Sequence, residues 1–349
     1  MIKYLGSKRR LVPAITALSR AIEARTALDL FTGTTRVAQG LKREGTAVTA
    51  LDSATYSHVL ARAYIETDAA AVDYGELGEA IASLSALPGR VGYVTTVFCH
   101  ESRYFHPDNG MRIDAIRDAI EERYEGSSLY PVLLTSLLEA ADRVDSTTGL
   151  QMAYLKSWAP RALRPLQLRP PLLLAGPGTA VIGDAIELAG SLGSPPFDLA
   201  YIDPPYNQHR YYTNYHVWET LVRWDAPGYY GVACKRLDCR DDASRSPFNH
   251  KASMVPALAS VVGGVEARLV VVSYNDESWL SLGELVELCS ARGRVEVLKF
   301  DSKRYVGAQI GIHNPSGVKV GEVSHLRNTE IMLVCGAADL VEQAVAGMR

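Results

Sequence analysis

The chemistry of this chain is concentrated in Asp203-Pro204-Pro205-Tyr206. The preceding run, 197–202, reads as a buried strand, so the tetrapeptide stands just past a strand's carboxyl end, where open α/β sheets hold their ligands. Two successive prolines fix φ at both central positions and hold the residue before them extended. The product is a stiff loop presenting one carboxylate, one aromatic ring and prolyl carbonyls with no N–H of their own to satisfy. Such a loop suits a flat ring that bears an amine. Asp203 and the Pro204 carbonyl can each accept one N–H, drawing the nitrogen towards tetrahedral geometry, while Tyr206 stacks on the ring. A strand-end turn with a solvated aspartate is the competing reading of these four letters, because short motifs recur by chance.

Other residues narrow the choice. Lys3-Tyr4-Leu5-Gly6-Ser7-Lys8 opens the chain, and Asp29-Leu30-Phe31-Thr32-Gly33-Thr34-Thr35 closes an apolar run. Gly33 has no Cβ, so backbone can approach a ligand there. A second short strand ends at Asp52, about 20 residues after that loop, the spacing at which a βαβ unit places an acid on ribose hydroxyls. Gly183-Asp184-Ala185 follows a third strand and Ser273-Tyr274-Asn275 a fifth. There is no Gly-x-Gly-x-x-Gly and no phosphate-cradling Lys-Ser/Thr, which counts against dinucleotides and nucleoside triphosphates.

As an ordered set these residues resemble the Dam-like (class I, alpha-order) N(6)-adenine DNA methyltransferase family, over nearly the whole chain and most weakly at 69–175. The resemblance implies a Rossmann-like S-adenosylmethionine methyltransferase sheet of seven strands, mostly parallel, closing with a hairpin. It implies S-adenosylmethionine as cofactor and double-stranded DNA as substrate, and leaves open whether a cognate restriction endonuclease is a further partner or the enzyme acts alone. Within it Tyr4, Lys8, Asp29, Phe31, Gly33, Asp52, Asp184 and Asp203 are the cofactor residues, with Lys8 on the cofactor's carboxylate, and Asp203, Pro204, Pro205 and Tyr206 are catalytic. One departure stands out: the family's loop has a second glycine where this chain has Thr35. In that superfamily an acid before Pro-Pro-Tyr leans towards adenine, and serine towards the amine of cytosine. A ring-carbon enzyme would need a Pro-Cys nucleophile, and no Pro-Cys occurs here. Transfer to cytosine N4 or to an RNA adenine, or a catalytically silent DNA-binding module, are the remaining alternatives.

These residues must be held by a scaffold. Strand-like runs fall at 27–30, 47–51, 180–182, 199–202, 269–273, 295–300 and 331–335, with helical patterns such as 36–44 and 282–292 between most of them. That alternation predicts an α/β fold with a mostly parallel sheet covered on both faces. Asn314-Pro315-Ser316-Gly317 reads as a hairpin loop. The exception is 69–175, where 113–124 and 132–144 are amphipathic and strand signal is almost absent. Pro160, Pro165, Pro170 and Pro171 then exclude a continuous helix. The expected organisation is a catalytic domain formed by 1–68 and 176–349, with a mainly helical target-recognition domain inserted at 69–175.

A chain of 349 residues can bury a full α/β core and carry such an insertion. No apolar stretch approaches the roughly 20 residues of a membrane span, and no signal-peptide core precedes Lys8-Arg9-Arg10. Five scattered cysteines without a Cys-x-x-Cys pair give neither a disulfide framework nor a zinc knuckle, and they fit a reducing cytoplasm. His209 and His216 have no clustered acidic or cysteine partners, which argues against a metal site.

A net charge of −3 argues against a protein that coats nucleic acid non-specifically, but not against a basic groove. Residues 151–171 contain no acid while carrying Lys156, Arg161, Arg164 and Arg169; Arg292, Arg294, Lys299, Lys303 and Arg304 form a second basic cluster. Lys156, Arg161, Lys303 and Arg304 are the candidate phosphate contacts. Arg103, Asn109 and Arg112 are further candidates in the insertion. Tyr211, Tyr215 and Trp218 share one helical face; core packing is the expectation for Trp218, and base stacking competes evenly with it for the two tyrosines.

Overall fold

The computed structural model describes residues 2–6, 8–206, 208, 210–275, 278–303, 312–313, 319–321 and 327–348. Seven strands form one sheet: β1 (Thr26–Leu30), β2 (Ala47–Asp52), β3 (Gly178–Ile182), β4 (Phe197–Ile202), β5 (Ala267–Asn275), β6 (Arg294–Lys303) and β7 (Arg327–Gly336), in the order β3-β2-β1-β4-β5-β7-β6. Pairing is parallel as far as β5, and β7 runs antiparallel to both β5 and β6. The architecture is the α/β sheet expected, closing with the β6–β7 pair. Ser273-Tyr274-Asn275 lies inside β5 rather than after it, because Tyr274 packs in the core. A short antiparallel pair, Ile312–His313 with Lys319–Gly321, lies between β6 and β7; the expected loop at 314–317 falls outside the described residues.

Burial on both faces explains why the central strands read as near-continuous apolar runs. Side chains alternate between two hydrophobic clusters. Leu269 and Val271 of β5 enter one, and Val270, Val272 and Tyr274 the other. The first cluster is covered by α1 (Val12–Ala21), α2 (Arg36–Arg43), α3 (Thr55–Ala61), α9 (His216–Arg223) and α12 (Ala338–Ala346). The second is covered by α7 (Ala185–Leu188), α10 (Lys251–Gly264) and α11 (Leu282–Ser290). A one-turn helix, α8 (Tyr211–Asn214), leads into α9.

Between β2 and β3 the chain forms α4 (Tyr74–Ala86), a π-helical stretch (Val94–Glu101), α5 (Pro107–Tyr124) and α6 (Tyr130–Arg143). Residues 144–177 contain no helix or strand. The π-helical stretch has an identifiable anchor: Asp114 on α5 accepts hydrogen bonds from the backbone N–H of Gly92, Val94 and Thr95 and from the Thr95 hydroxyl. These helices do not stand apart from the sheet. Leu77, Phe98, Ile116 and Leu137 share the first cluster with Tyr56, Leu60 and Trp218. Arg117 of α5, with its side chain about 1% exposed, donates to the Leu221 and Val222 carbonyls at the end of α9.

Candidate active site

In the sheet order β1 and β4 are neighbours from which the strands lead off in opposite directions. Their carboxyl ends therefore flank the crevice in which such sheets bind ligands. The loop after β1 is wound unusually tightly. Phe31, Gly33 and Thr35 have φ of 65°, 52° and 59°. Thr35, where the family has glycine, thus adopts the left-handed conformation despite its branched Cβ, which is a genuine strain. It is fully buried, and its hydroxyl donates to the Thr34 carbonyl while accepting from the Gln39 amide. The departure in sequence leaves the turn intact and transfers its restraint to α2.

Two carboxylates hold this loop. Asp29 accepts from the Thr32 hydroxyl at 2.7 Å and from the Ala38 N–H at 3.1 Å. It is buried beneath the loop, and burial pushes its carboxyl up to about 7. Asp52 accepts from the Gly33 N–H at 2.8 Å and the Ala54 N–H at 2.9 Å. A Cβ on Gly33 would meet two ring carbons and the hydroxyl of Tyr4 at 3.0–3.1 Å. That ring cannot retreat, being stacked on Tyr215 at 4.7 Å and Tyr211 at 5.4 Å. We expect Gly33→Ala to raise the dissociation constant for S-adenosylmethionine, as calorimetry reads it, at least tenfold. The left-handed backbone adds roughly 1–2 kcal/mol of strain, and the displaced Tyr4 ring is the larger obstacle.

These loops open on a cavity of 520 Å³. Its lining includes Tyr4, Phe31, Asp52, Ser53, Gly183 and Asp184 together with Asp203, Pro205 and Tyr211. Asp184 also caps α7 by accepting from the Ile186 N–H at 2.7 Å. The carboxylate after β2, an aromatic edge after β1 and this volume fit an adenosyl group and its ribose. A wall that sequence reading missed comes from 246–249. There Phe248 meets Phe31 edge-on at 5.1 Å.

The structure redistributes several expected roles. Lys8 does not line the cavity. Its ammonium is buried 3.2 Å from Asp203 Oδ1, 3.1 Å from Glu330 Oε2 and 3.4 Å from the Tyr206 hydroxyl. Burial disfavours that charge, but Asp203, Tyr206 and Glu330 outweigh it and hold the ammonium well above the usual lysine range. Asp203 is pushed up to about 6, by burial above all; Lys8 pulls it down and Glu330 pushes it up. Tyr206, expected to face a base, is buried against Tyr274 at 5.3 Å. Tyr211, which lies within the electrostatic reach of Asp203, lines the cavity where Tyr206 does not.

Among the candidate DNA contacts, Tyr215 is fully buried, and its hydroxyl accepts from the Leu5 N–H at 2.6 Å; it supports Tyr4 and cannot stack on a base. Trp218 is core, as expected. Arg161 is committed to Asp145 at 2.7 Å, which leaves little charge for phosphate. Asn109 is buried, bonding the Ala162 and Arg164 carbonyls and the Leu166 N–H, and Arg112 donates to the Ser85 carbonyl. Lys156 is exposed, and Arg103 lies over the Trp158 ring at 4.7 Å. Arg304 and His209 fall outside the described residues, as does the Lys303 side chain. His216 is buried and pushed down to about 3 by that burial, hence neutral. No group of three metal-ligating side chains occurs among the described residues, and no helix there is long and apolar enough to cross a membrane.

The sequence model of the D12 class N6 adenine-specific DNA methyltransferases matches residues 4–288. Type II methyltransferase M.NlaIII of Neisseria lactamica is 30% identical over 93% of this chain and 98% of its own length. Type II methyltransferase M.CviAII of Paramecium bursaria Chlorella virus 1 is 36% identical over 61% of this chain and 64% of its own. Modification methylase StsI of Streptococcus sanguinis is 29% identical over 87% of this chain, which spans 49% of that longer protein. With the sheet, the two carboxyl-end loops and Asp203-Pro204-Pro205-Tyr206 in place, the chain belongs to the D12 class of N6 adenine-specific DNA methyltransferases, which transfer a methyl group from S-adenosylmethionine to the exocyclic amine of adenine in DNA.

Proposed function

We propose that Asp203 and the Pro204 carbonyl receive the two N–H bonds of the target adenine's amine, and that Tyr4, Phe31, Asp52 and Asp184 hold the cofactor beside it. The observation that carries this reading is that Asp203 and Pro205 line the same cavity as Phe31, Asp52 and Asp184. Bound S-adenosylmethionine supplies a methyl group made electrophilic by its sulfonium centre. The amine's lone pair is delocalised into the purine, so the protein must localise it. Two acceptors fixed by a stiff Pro-Pro turn do so by orientation. The adenine must leave the duplex to reach them, and Tyr211, which lines the cavity, is the ring we assign to lie against it. Asp52 meets ribose hydroxyls with the oxygen capacity left after it binds the Gly33 and Ala54 N–H groups.

We also infer that 69–175 reads the DNA sequence and that the enzyme is a site-specific modification methylase, the term its relative StsI carries, working beside a cognate endonuclease. Sequence is read by side chains reaching base edges, whereas the extruded adenine is held at the sheet end. Exchange of 69–175 for a relative's equivalent, keeping Arg117 and Asp145 and their contacts, is expected to change the methylated sequence and leave cofactor affinity within about twofold. Modification-sensitive sequencing of DNA from expressing cells reads the outcome. A chimera that methylates the parent's sequence would place recognition elsewhere.

A further inference from the structure

Asp203 is one of two carboxylates around a single buried cation. Lys8 Nζ lies 3.2 Å from Asp203 and 3.1 Å from Glu330, and its side chain is only about 5% exposed. Glu330 stands near the start of β7, in register with Asn275 of β5. Because β7 alone among the partners of β5 runs antiparallel, its beginning lies at the edge where the parallel strands end, and Glu330 reaches Lys8 from there. We propose that Glu330 is a positioning residue for methyl transfer: it fixes the Lys8 ammonium against Asp203 and leaves the cluster with one net negative charge.

The proposal rests on Asp203 as the amine's acceptor. When the N–CH₃ bond forms and the S–CH₃ bond breaks, the nitrogen gains positive charge until one of its protons leaves to solvent. Asp203 and Lys8 alone are neutral as a pair, and a neutral pair offers that charge little. Glu330 adds the unbalanced negative charge, already oriented and mostly withdrawn from solvent, the form in which electrostatic stabilisation of a transition state is strongest. The same charge opposes ionisation of Asp203. The other titratable groups around Asp203 are Tyr201 on β4, Tyr206, Tyr211 on α8 and Asp29 on β1. None of them changes between Glu330 variants.

Glu330 therefore acts on rate and pH dependence in opposite senses, which a packing role would not do. The test is single-turnover transfer of tritiated methyl from S-adenosylmethionine to unmethylated genomic DNA, across pH 5–8. Wild type is expected to lose activity as pH falls through about 6, where Asp203 protonates. E330Q is expected to lower the plateau rate at least tenfold yet move the acid limb to lower pH, since Asp203 loses a repelling neighbour. E330D, which keeps the charge, should stay within about threefold of wild type with an unmoved limb. Wild-type rate and limb in E330Q overturn the proposal, as does equal impairment of E330D and E330Q. If E330Q fails to fold, E330D alone decides, and its impairment overturns the proposal. Activity of Asp203→Ala in the same assay would instead overturn the reading of Asp203 as acceptor, whatever the Glu330 variants do.

Discussion

Replacing Asp203 with alanine should reduce methyl transfer by at least roughly 10²–10³-fold, the scale of losing one preorganised group at a transition state, while the protein stays folded. The fold survives for a reason visible in the cluster: Lys8 keeps Glu330 as a partner at 3.1 Å, so no buried cation is left uncompensated. The carboxylate also lies at the end of β4, outside the ladder that builds the sheet. Asp203→Asn should be severely impaired as well, because an amide oxygen accepts more weakly than a carboxylate. Methylation of unmodified DNA and circular dichroism, measured on the same preparations, read the two halves of the prediction. Near-normal turnover by Asp203→Ala would remove the basis of the proposed mechanism.

The largest effect on stability is expected at Arg117. Its Nε donates to the Leu221 carbonyl at 2.7 Å and its Nη2 to the Val222 carbonyl at 3.0 Å, both at the carboxyl end of α9. The guanidinium also pairs with Glu121 at 2.7 Å and lies over the Trp224 ring at 5.2 Å. Truncation to alanine leaves two buried carbonyls without a donor, each costing roughly 1–3 kcal/mol, and a void beside Trp224. Arg117→Ala is therefore expected to lose about 2–6 kcal/mol in denaturant unfolding. Arg117→Lys should recover only part of it, since one ammonium cannot reproduce the planar fork that meets both carbonyls. A change below about 0.5 kcal/mol would mean that α9 is held by apolar packing alone. Because Arg117 lies in the segment proposed to read DNA and α9 follows Asp203-Pro204-Pro205-Tyr206 in the chain, its loss should also reduce activity in protein that remains folded.

Local patterns and one ordered set of motifs were enough to place the sheet. Apolar runs of strand length occur wherever a parallel strand is buried on both faces, which made β1, β4 and β5 legible from local pattern; β2 and the half-exposed edge strand β3 were legible as short β-prone runs between helical patterns. Asp203-Pro204-Pro205-Tyr206 was legible because two prolines determine their own backbone, and Asp52 because strand, turn and helix lengths fix its distance from the first loop. Pro160, Pro165, Pro170 and Pro171 marked a stretch without helix for the same local reason.

What sequence alone could not decide was which polar groups meet. Lys8 reads as free for a ligand until the fold brings Glu330, 322 residues later, against it. That meeting depends on β7 running antiparallel, a property of the whole sheet that no window of residues contains. Tyr211 and Tyr215 lie one helical turn apart and look alike in sequence; a short helix on the crevice leaves the first at the cavity and buries the second under Tyr4. Arg161 looks like a phosphate contact until Asp145 takes its charge. Backbone propensity and hydrophobic period act over a few residues and are written in the chain. Charge pairing and exposure are set by distances across the folded molecule, and only tertiary structure supplies those.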